Sequence, residues 1–342
     1  MHLSDLYPKR VLPNMNSTHL KMSLFGLIMG FAHLASAQAT TGWETAQTAN
    51  SCTARHENAF TKVGDKLYLI GGRGTRPVDE FDPKTNAWKQ LAPPPVEMNH
   101  FQAIEYNNEA YVMGAFMGQY PHEKPLTSIY IFNPAKNEWR EGPAIPADRL
   151  RGATGAVNYN NKLYLVCGIQ DGHYDGHVGW LDEFDPKTNT WRKLPDAPHV
   201  RDHVSVAVIN DKLYVAGGRR STARINQVLN LTEPAVDVFD FKTNTWTTLP
   251  ADLNLPTQRA GNAAVPFGYK LLIMGGESPA QVEAHAEVEA LNTKTMKWEK
   301  LPNLNKGRHG TGATIYKKKV YVAAGSGNRG GGPELTSMEI LK

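Results

Sequence analysis

What this chain of 342 residues has little of narrows its function first. It has two cysteines, Cys52 and Cys167, too few for a disulfide-built scaffold or a thiolate-rich metal centre. Its formal net charge is only +4, and setting aside residues 1–37 removes two of those charges, because Lys9, Arg10 and Lys21 there face only Asp5. So weak a balance excludes recognition of nucleic acid on bulk charge. No G-x-S-x-G elbow, Walker loop or dinucleotide fingerprint stands in a suitable context, no short-spaced metal-ligand motif is present, and His173 with His177 lie on a Gly-rich loop and not on a helix. No metal or cofactor is therefore expected.

Apolar runs are scarce too, with one exception at the start. Lys9, Arg10 and Lys21 precede an apolar stretch from Met22 to Leu34 that ends in Ala35-Ser36-Ala37, the pattern of a cleavable export signal. Residues 1–37 are read as a signal peptide and residues 38–342 as the mature domain. Nothing later is long and apolar enough to span a bilayer, so a secreted or periplasmic protein with no membrane span after cleavage is expected.

What the chain has in quantity is repetition. The phrase Lys66-Leu67-Tyr68-Leu69-Ile70-Gly71-Gly72 has echoes ending at Gly114-Ala115, Cys167-Gly168, Gly217-Gly218, Gly275-Gly276 and Ala324-Gly325. Tryptophans follow at 88, 139, 191, 246 and 298, a sixth, Trp43, stands ahead of the first copy, and the intervals are 45, 51, 52, 55 and 52 residues. This pattern resembles the kelch repeat, one four-stranded blade of a β-propeller. The resemblance covers residues 42–341 and implies an all-β, six-bladed kelch propeller. The last repeat stops before its tryptophan, so the strand around Trp43 is expected to complete the C-terminal blade and close the ring, removing an open sheet edge. Within that frame Cys52 and Cys167 lie in distant blades and are expected to be separate thiols, and a monomer is expected.

Strand direction puts the start of each innermost strand and each loop from second to third strand on one face. The loops 116–127, 169–180, 219–235 and 277–287 are long enough to point to ligand binding there. Counting back from each glycine pair, five blades present arginine (Arg55, Arg151, Arg201, Arg259, Arg308) where blade two has Met98. These arginines either belong to the repeat, serving hydrogen bonds of the scaffold, or form forks for an anion. The next positions add His56, Glu57, His100, Asp202, His203 and His309, and the long loops add Tyr120, His122, His173, Tyr174, His177, Trp180, Arg219 and Glu277. Aromatic faces beside guanidinium groups suit an acidic carbohydrate; Trp180 and Tyr174 would alternatively only pin their loop.

The segments Arg201-Asp202-His203-Val204, Gly217-Gly218-Arg219-Arg220-Ser221 and Tyr120-Pro121-His122-Glu123 are similar to those of exported bacterial kelch-repeat proteins. Three functions stay open. One is a propeller binding an anionic carbohydrate at its channel mouth. Another is an enzyme on acidic sugars, resembling the sialic-acid mutarotases of the kelch group or a uronate lyase; His203 beside Asp202 would be the base and His56 or Tyr174 the acid. The last is a protein-interaction scaffold.

Overall fold

The computed structural model describes residues 42–342; the leader read from residues 1–37 lies outside them. Six four-stranded antiparallel sheets follow one another along the chain, and each begins at the central channel and ends at the rim. Blade one runs Asn58–Val63, Lys66–Gly71, Val78–Asp82, Ala87–Leu91. Blade two begins at Ile104–Tyr106, blade three at Gly155–Tyr159, blade four at Ser205–Ile209, blade five at Ala263–Phe267 and blade six at Ala313–Tyr316. Blade six takes its fourth strand from the start of the chain: Trp43–Thr45 pairs with Met338–Leu341, Trp43 opposite Leu341. The expected closure is therefore observed.

Second strands are buried on both faces, as in Leu67, Tyr68, Leu69 and Ile70, because blades stack on either side of them. The turn between third and fourth strands recurs for a local reason. Asp82, Asp185 and Asp240 each accept a hydrogen bond from the backbone N–H two residues on, and Asn86, Asn189 and Asn244 take the left-handed conformation that asparagine tolerates. The tryptophan that follows packs against the blade's own phenylalanine, at 5.1 Å between ring centroids for Phe81 and Trp88 and 4.9 Å for Phe184 and Trp191. Trp43, Trp139, Trp191, Trp246 and Trp298 each donate their indole N–H to a carbonyl of the preceding blade, joining neighbours at the rim.

At the channel the blades are joined by backbone. The second glycine of a pair donates to the carbonyl of the residue at the arginine position of the next blade: Gly72 to Met98, Gly168 to Arg201, Gly218 to Arg259, Gly276 to Arg308 and Gly325 to Arg55, at 2.8–3.0 Å. At Gly275 the φ is +64° and a Cβ would stand 2.3 Å from the Arg308 carbonyl oxygen, whereas blades three and six carry Cys167 and Ala324 at the same position with φ of 59° and 58°.

Of the two roles left open for the five arginines, scaffold or anion fork, the structure supports the scaffold. Arg55, Arg151, Arg201, Arg259 and Arg308 are at most 1% exposed. Each is ion-paired inside its own blade, to Asp79, Asp182, Asp237, Glu289 and Glu339 respectively, at 2.5–2.8 Å. Four of them also donate to the carbonyl of the first residue of the glycine pair, for example Arg55 to Gly71 and Arg308 to Ala324, both 2.9 Å. Blade two lacks both partners together: Met98 replaces the arginine, and Tyr130 stands in the third strand where the other blades carry the acid. Their guanidinium groups are buried and paired within the blades, with only Nε of Arg201, Arg259 and Arg308 left without a partner among the described residues, so none faces the channel mouth.

Candidate functional site at the channel mouth

Six residues in left-handed backbone conformation encircle the channel: Glu57, His100, Ala153, His203, Gly261 and Gly310, with φ between 50° and 62°. They are stitched by hydrogen bonds that run blade to blade. The N–H groups of His100, Ala153, His203, Gly261 and Gly310 bind the carbonyls of Glu57, His100, Ala153, His203 and Gly261, and Asn58 N–H closes the circuit on Gly310. Glycine takes this conformation freely, whereas a residue with Cβ loses about 1 kcal/mol. Blades five and six use glycine; Glu57, His100 and His203 hold bulky polar side chains in the strained position. Ala153 keeps the same conformation with a methyl group, so the bulky polar side chains of Glu57, His100 and His203 are the candidates for function in the ring.

A second tier lies above the ring, where the residue before each ring position meets the residue after each glycine pair. His56 meets Arg73, Asn99 meets Phe116, Asp202 meets Arg219, Ala260 meets Glu277 and His309 meets Ser326. Arg219 donates to Glu277 at 2.5 Å and to Ser221 at 2.9 Å, and Ser221 Oγ donates to Asp202 at 2.7 Å. His309 stands between Glu57 (3.7 Å) and Glu277 (3.5 Å).

The loops roof this arrangement. The hairpin Ile169–Asp171 with Asp175–His177 reaches over the mouth, its His173 N–H bound to the Pro121 carbonyl of blade two and its His173 carbonyl to Ala223 of blade four. Gly172 permits the approach: a Cβ there would lie 2.3 Å from the Glu123 carboxylate. Beneath is a cavity of about 430 Å³, lined among others by His56, Glu57, Arg73, His100, Tyr120, His173, Arg219 and Glu277. Blade six contributes Gly330 and Gly331 from a fifth long loop that the sequence reading omitted, and His56 is held there by Glu334 at 2.8 Å.

Three imidazoles meet beside the cavity, with centroids 4.8 Å apart for His100 and His203, 5.0 Å for His100 and His173, and 4.7 Å for His173 and His203. Each engages an oxygen through Nδ1: His100 with Asn99 Oδ1 (2.6 Å), His173 with Glu123 (3.0 Å) and His203 with Asp202. Burial, reinforced by His203, His173 and Arg73, pushes the His100 imidazole well below its ordinary value. Burial and Arg219 likewise lower His203, against the opposing pull of Asp202. Burial alone would raise the carboxylates, but their partners outweigh it. His203 and His177 hold Asp202 well below the usual range, His173 and Arg73 hold Glu123 at about 2, and His309 with Arg219 hold Glu277 low. Carboxylates held low and the two lowered imidazoles, His100 and His203, thus share one wall.

Of the residues expected at the mouth, Glu57, His100, Tyr120, His173, Arg219 and Glu277 line the cavity, while His203, Asp202 and His309 stand behind it, against His100, Arg219 and Glu277 respectively. His177 binds Asp202 at 3.1 Å. Three are placed otherwise. Trp180 covers the Arg149 guanidinium at 4.1 Å, packing its loop onto blade three, and His122 with Tyr174 form an outward pair, 4.4 Å between rings, anchored by Asp171. Tyr174 is therefore not positioned as the acid partner of His203. Arg73 and Glu123 were missed, although Arg73 follows Gly71-Gly72 as Arg219 follows Gly217-Gly218.

The fold and this mouth define a six-bladed propeller with a roofed polar site on its axis. The chain belongs to the kelch-repeat family, residues 102–325 matching the KLHDC2/KLHL20/DRC7 kelch-repeats domain. It is 26% identical over 287 residues to the Kelch-like protein terF of Aspergillus terreus, covering 79% of this chain and 61% of that protein. Against Kelch-like protein 38 of Homo sapiens it is 24% identical over 269 residues, covering 76% and 42%. The chain thus spans at most about three fifths of these relatives' length. The solved structure of YjhT superposes with a TM-score of 0.71 at 17% identity, covering 85% of this chain and 95% of that one, a likeness of fold. No helix among the described residues is long and apolar enough to cross a membrane.

Proposed function

We propose that this propeller is an enzyme that moves a proton on a small acidic sugar held in the roofed mouth. One observation carries the reading: Glu57, His100 and His203 keep polar side chains in left-handed backbone positions on the axis, where Gly261 and Gly310 fill the same positions without strain. A cavity of about 430 Å³ suits a monosaccharide and not an extended chain. Arg73 lines it with one of its N–H groups committed, to Glu123 at 2.6 Å, which leaves donors for the sugar's carboxylate. Glu57, lying 3.4 Å from His100 Nε2, is the proton acceptor in this reading, and the imidazoles beside it complete the polar wall. Binding without chemistry loses its main support, since the five arginines invoked for it are closed within the blades. With residues 1–37 read as an export signal, the proposed reaction runs outside the cytoplasm.

The test is anomer exchange of sialic and uronic acids followed by proton NMR, with absorbance of an unsaturated product monitored for elimination. Wild type is expected to accelerate one of these, and Glu57→Gln to lower the rate roughly 10²–10⁴-fold while the protein stays folded. A wild-type protein silent in every arm, or a Glu57→Gln variant as fast as wild type, would falsify the assignment.

A further inference from the structure

We infer that His100, His173 and His203 form a binding site for a divalent transition-metal ion, with an open coordination position facing the mouth cavity. This goes beyond the sugar reading and does not depend on it. The three side chains come from blade two, from the blade-three hairpin and from blade four, and all are buried. One ligand atom from each can be chosen so that all lie within 4.8 Å of one another.

Their orientation is the informative part. In each ring Nδ1 is occupied by a fixed oxygen, from Asn99, Glu123 and Asp202. That arrangement sets the tautomer with the proton on Nδ1 and leaves the Nε2 lone pair for a metal; a carboxylate behind an imidazole is the usual outer-shell support of a metal-binding histidine. Asp202 is itself fixed by Ser221 and His177, and Glu123 by Arg73, so the supports are held in turn. His203 Nε2 is buried and has no partner among the described residues. His100 Nε2 lies 3.4 Å from Glu57, and a cation among the three imidazoles gives the unpartnered His203 Nε2 a partner with a carboxylate close by.

Charge points the same way. The mouth buries four carboxylates, Glu57, Glu123, Asp202 and Glu277, against two guanidinium groups, Arg73 and Arg219. His309 lies between Glu57 and Glu277, and the excess of carboxylates over guanidinium groups in this wall favours a cation. A tetrahedral site with metal–nitrogen bonds of about 2.0–2.1 Å places its nitrogens about 3.3 Å apart, so the widest pair closes by about 1.5 Å, within reach of small side-chain rotations. Three histidines with a fourth position open to a cavity is the composition of catalytic rather than structural sites. Imidazole nitrogen selects zinc, copper, cobalt or nickel over calcium and magnesium. The sequence expectation of no metal rested on ligand spacing along the chain, and these ligands come from three separate blades.

The test uses tag-free protein stripped with a chelator and titrated with cobalt(II) and zinc(II), read by calorimetry, metal analysis after gel filtration and the visible cobalt spectrum. One equivalent is expected, bound with a tetrahedral or five-coordinate cobalt spectrum. His100→Gly and His203→Gly, which install the residue blades five and six already use in the ring, should lose that equivalent. His173→Ala, outside the ring, should do the same if either ring variant fails to fold. Asp202→Asn should weaken binding roughly 10–100-fold, as loss of an outer-shell partner does. Glu57→Gln should keep the metal, which separates this inference from the sugar assignment, and the exposed His122→Ala should be unaffected. Absence of stoichiometric binding by wild type, or histidine variants that bind like wild type, overturns the inference.

Discussion

At the scale of single residues, the arginines show how the same side chain serves scaffold or site according to its partner. Arg259 is 0% exposed and bound to Glu289 at 2.7 Å, whereas Arg73 sits in the cavity wall with donors to spare. Removing one member of a buried pair strands the other's charge, so Arg259→Leu is expected to cost about 3–5 kcal/mol in urea denaturation, with no selective effect on ligand affinity in the fraction that stays folded. A selective loss of affinity at unchanged stability would return Arg259 to the site. The cysteines behave as small core residues: burial pushes both the Cys52 and Cys167 thiols up to about 12, and they remain free. Neither is a thiolate at pH 8, so the native protein should leave a disulfide reagent unreacted and the unfolded protein should consume two equivalents.

At the scale of the blade, the glycine pair is the joint between neighbours. Gly275→Ala forces a Cβ to 2.3 Å from the Arg308 carbonyl at φ +64°, and is expected to cost more than about 1 kcal/mol, measured as a lower melting temperature. Ala153 carries its Cβ in a ring position of the same hand, at φ +52°. The pattern of strands, turns and tryptophans was legible in the chain, because each blade is built from contacts local in sequence: aspartate capping its own turn, tryptophan against its own phenylalanine. The purpose of the arginines was legible as well, in hindsight, since the blade with Met98 is also the blade with Tyr130 in place of the acid. Reading positions singly hid that coupling.

At the scale of the whole molecule, closure is carried by three residues. Trp43–Thr45 supplies the last strand of blade six, and Trp43 Nε1 donates to Pro302 at 3.0 Å. A chain beginning at residue 49 should therefore unfold at lower urea concentration and associate through the bared edge of Met338–Leu341, a change visible in sedimentation velocity. A truncated protein as stable and as monomeric as its parent would mean that the ring is held by its inner hydrogen-bonded circuit alone.

The repeat period, the glycine pairs and the turn chemistry determined the propeller, its blade count and the face on which the long loops gather, because these depend on neighbours within about 50 residues. Which polar groups turn inward was decided only by the assembled ring. His100, His173 and His203 are far apart along the chain and meet on one axis, and Arg201, two residues from His203, is turned into its own blade instead. Alternating side-chain direction and the hydrogen-bonded left-handed ring make that choice, and both exist only once all six blades are in place.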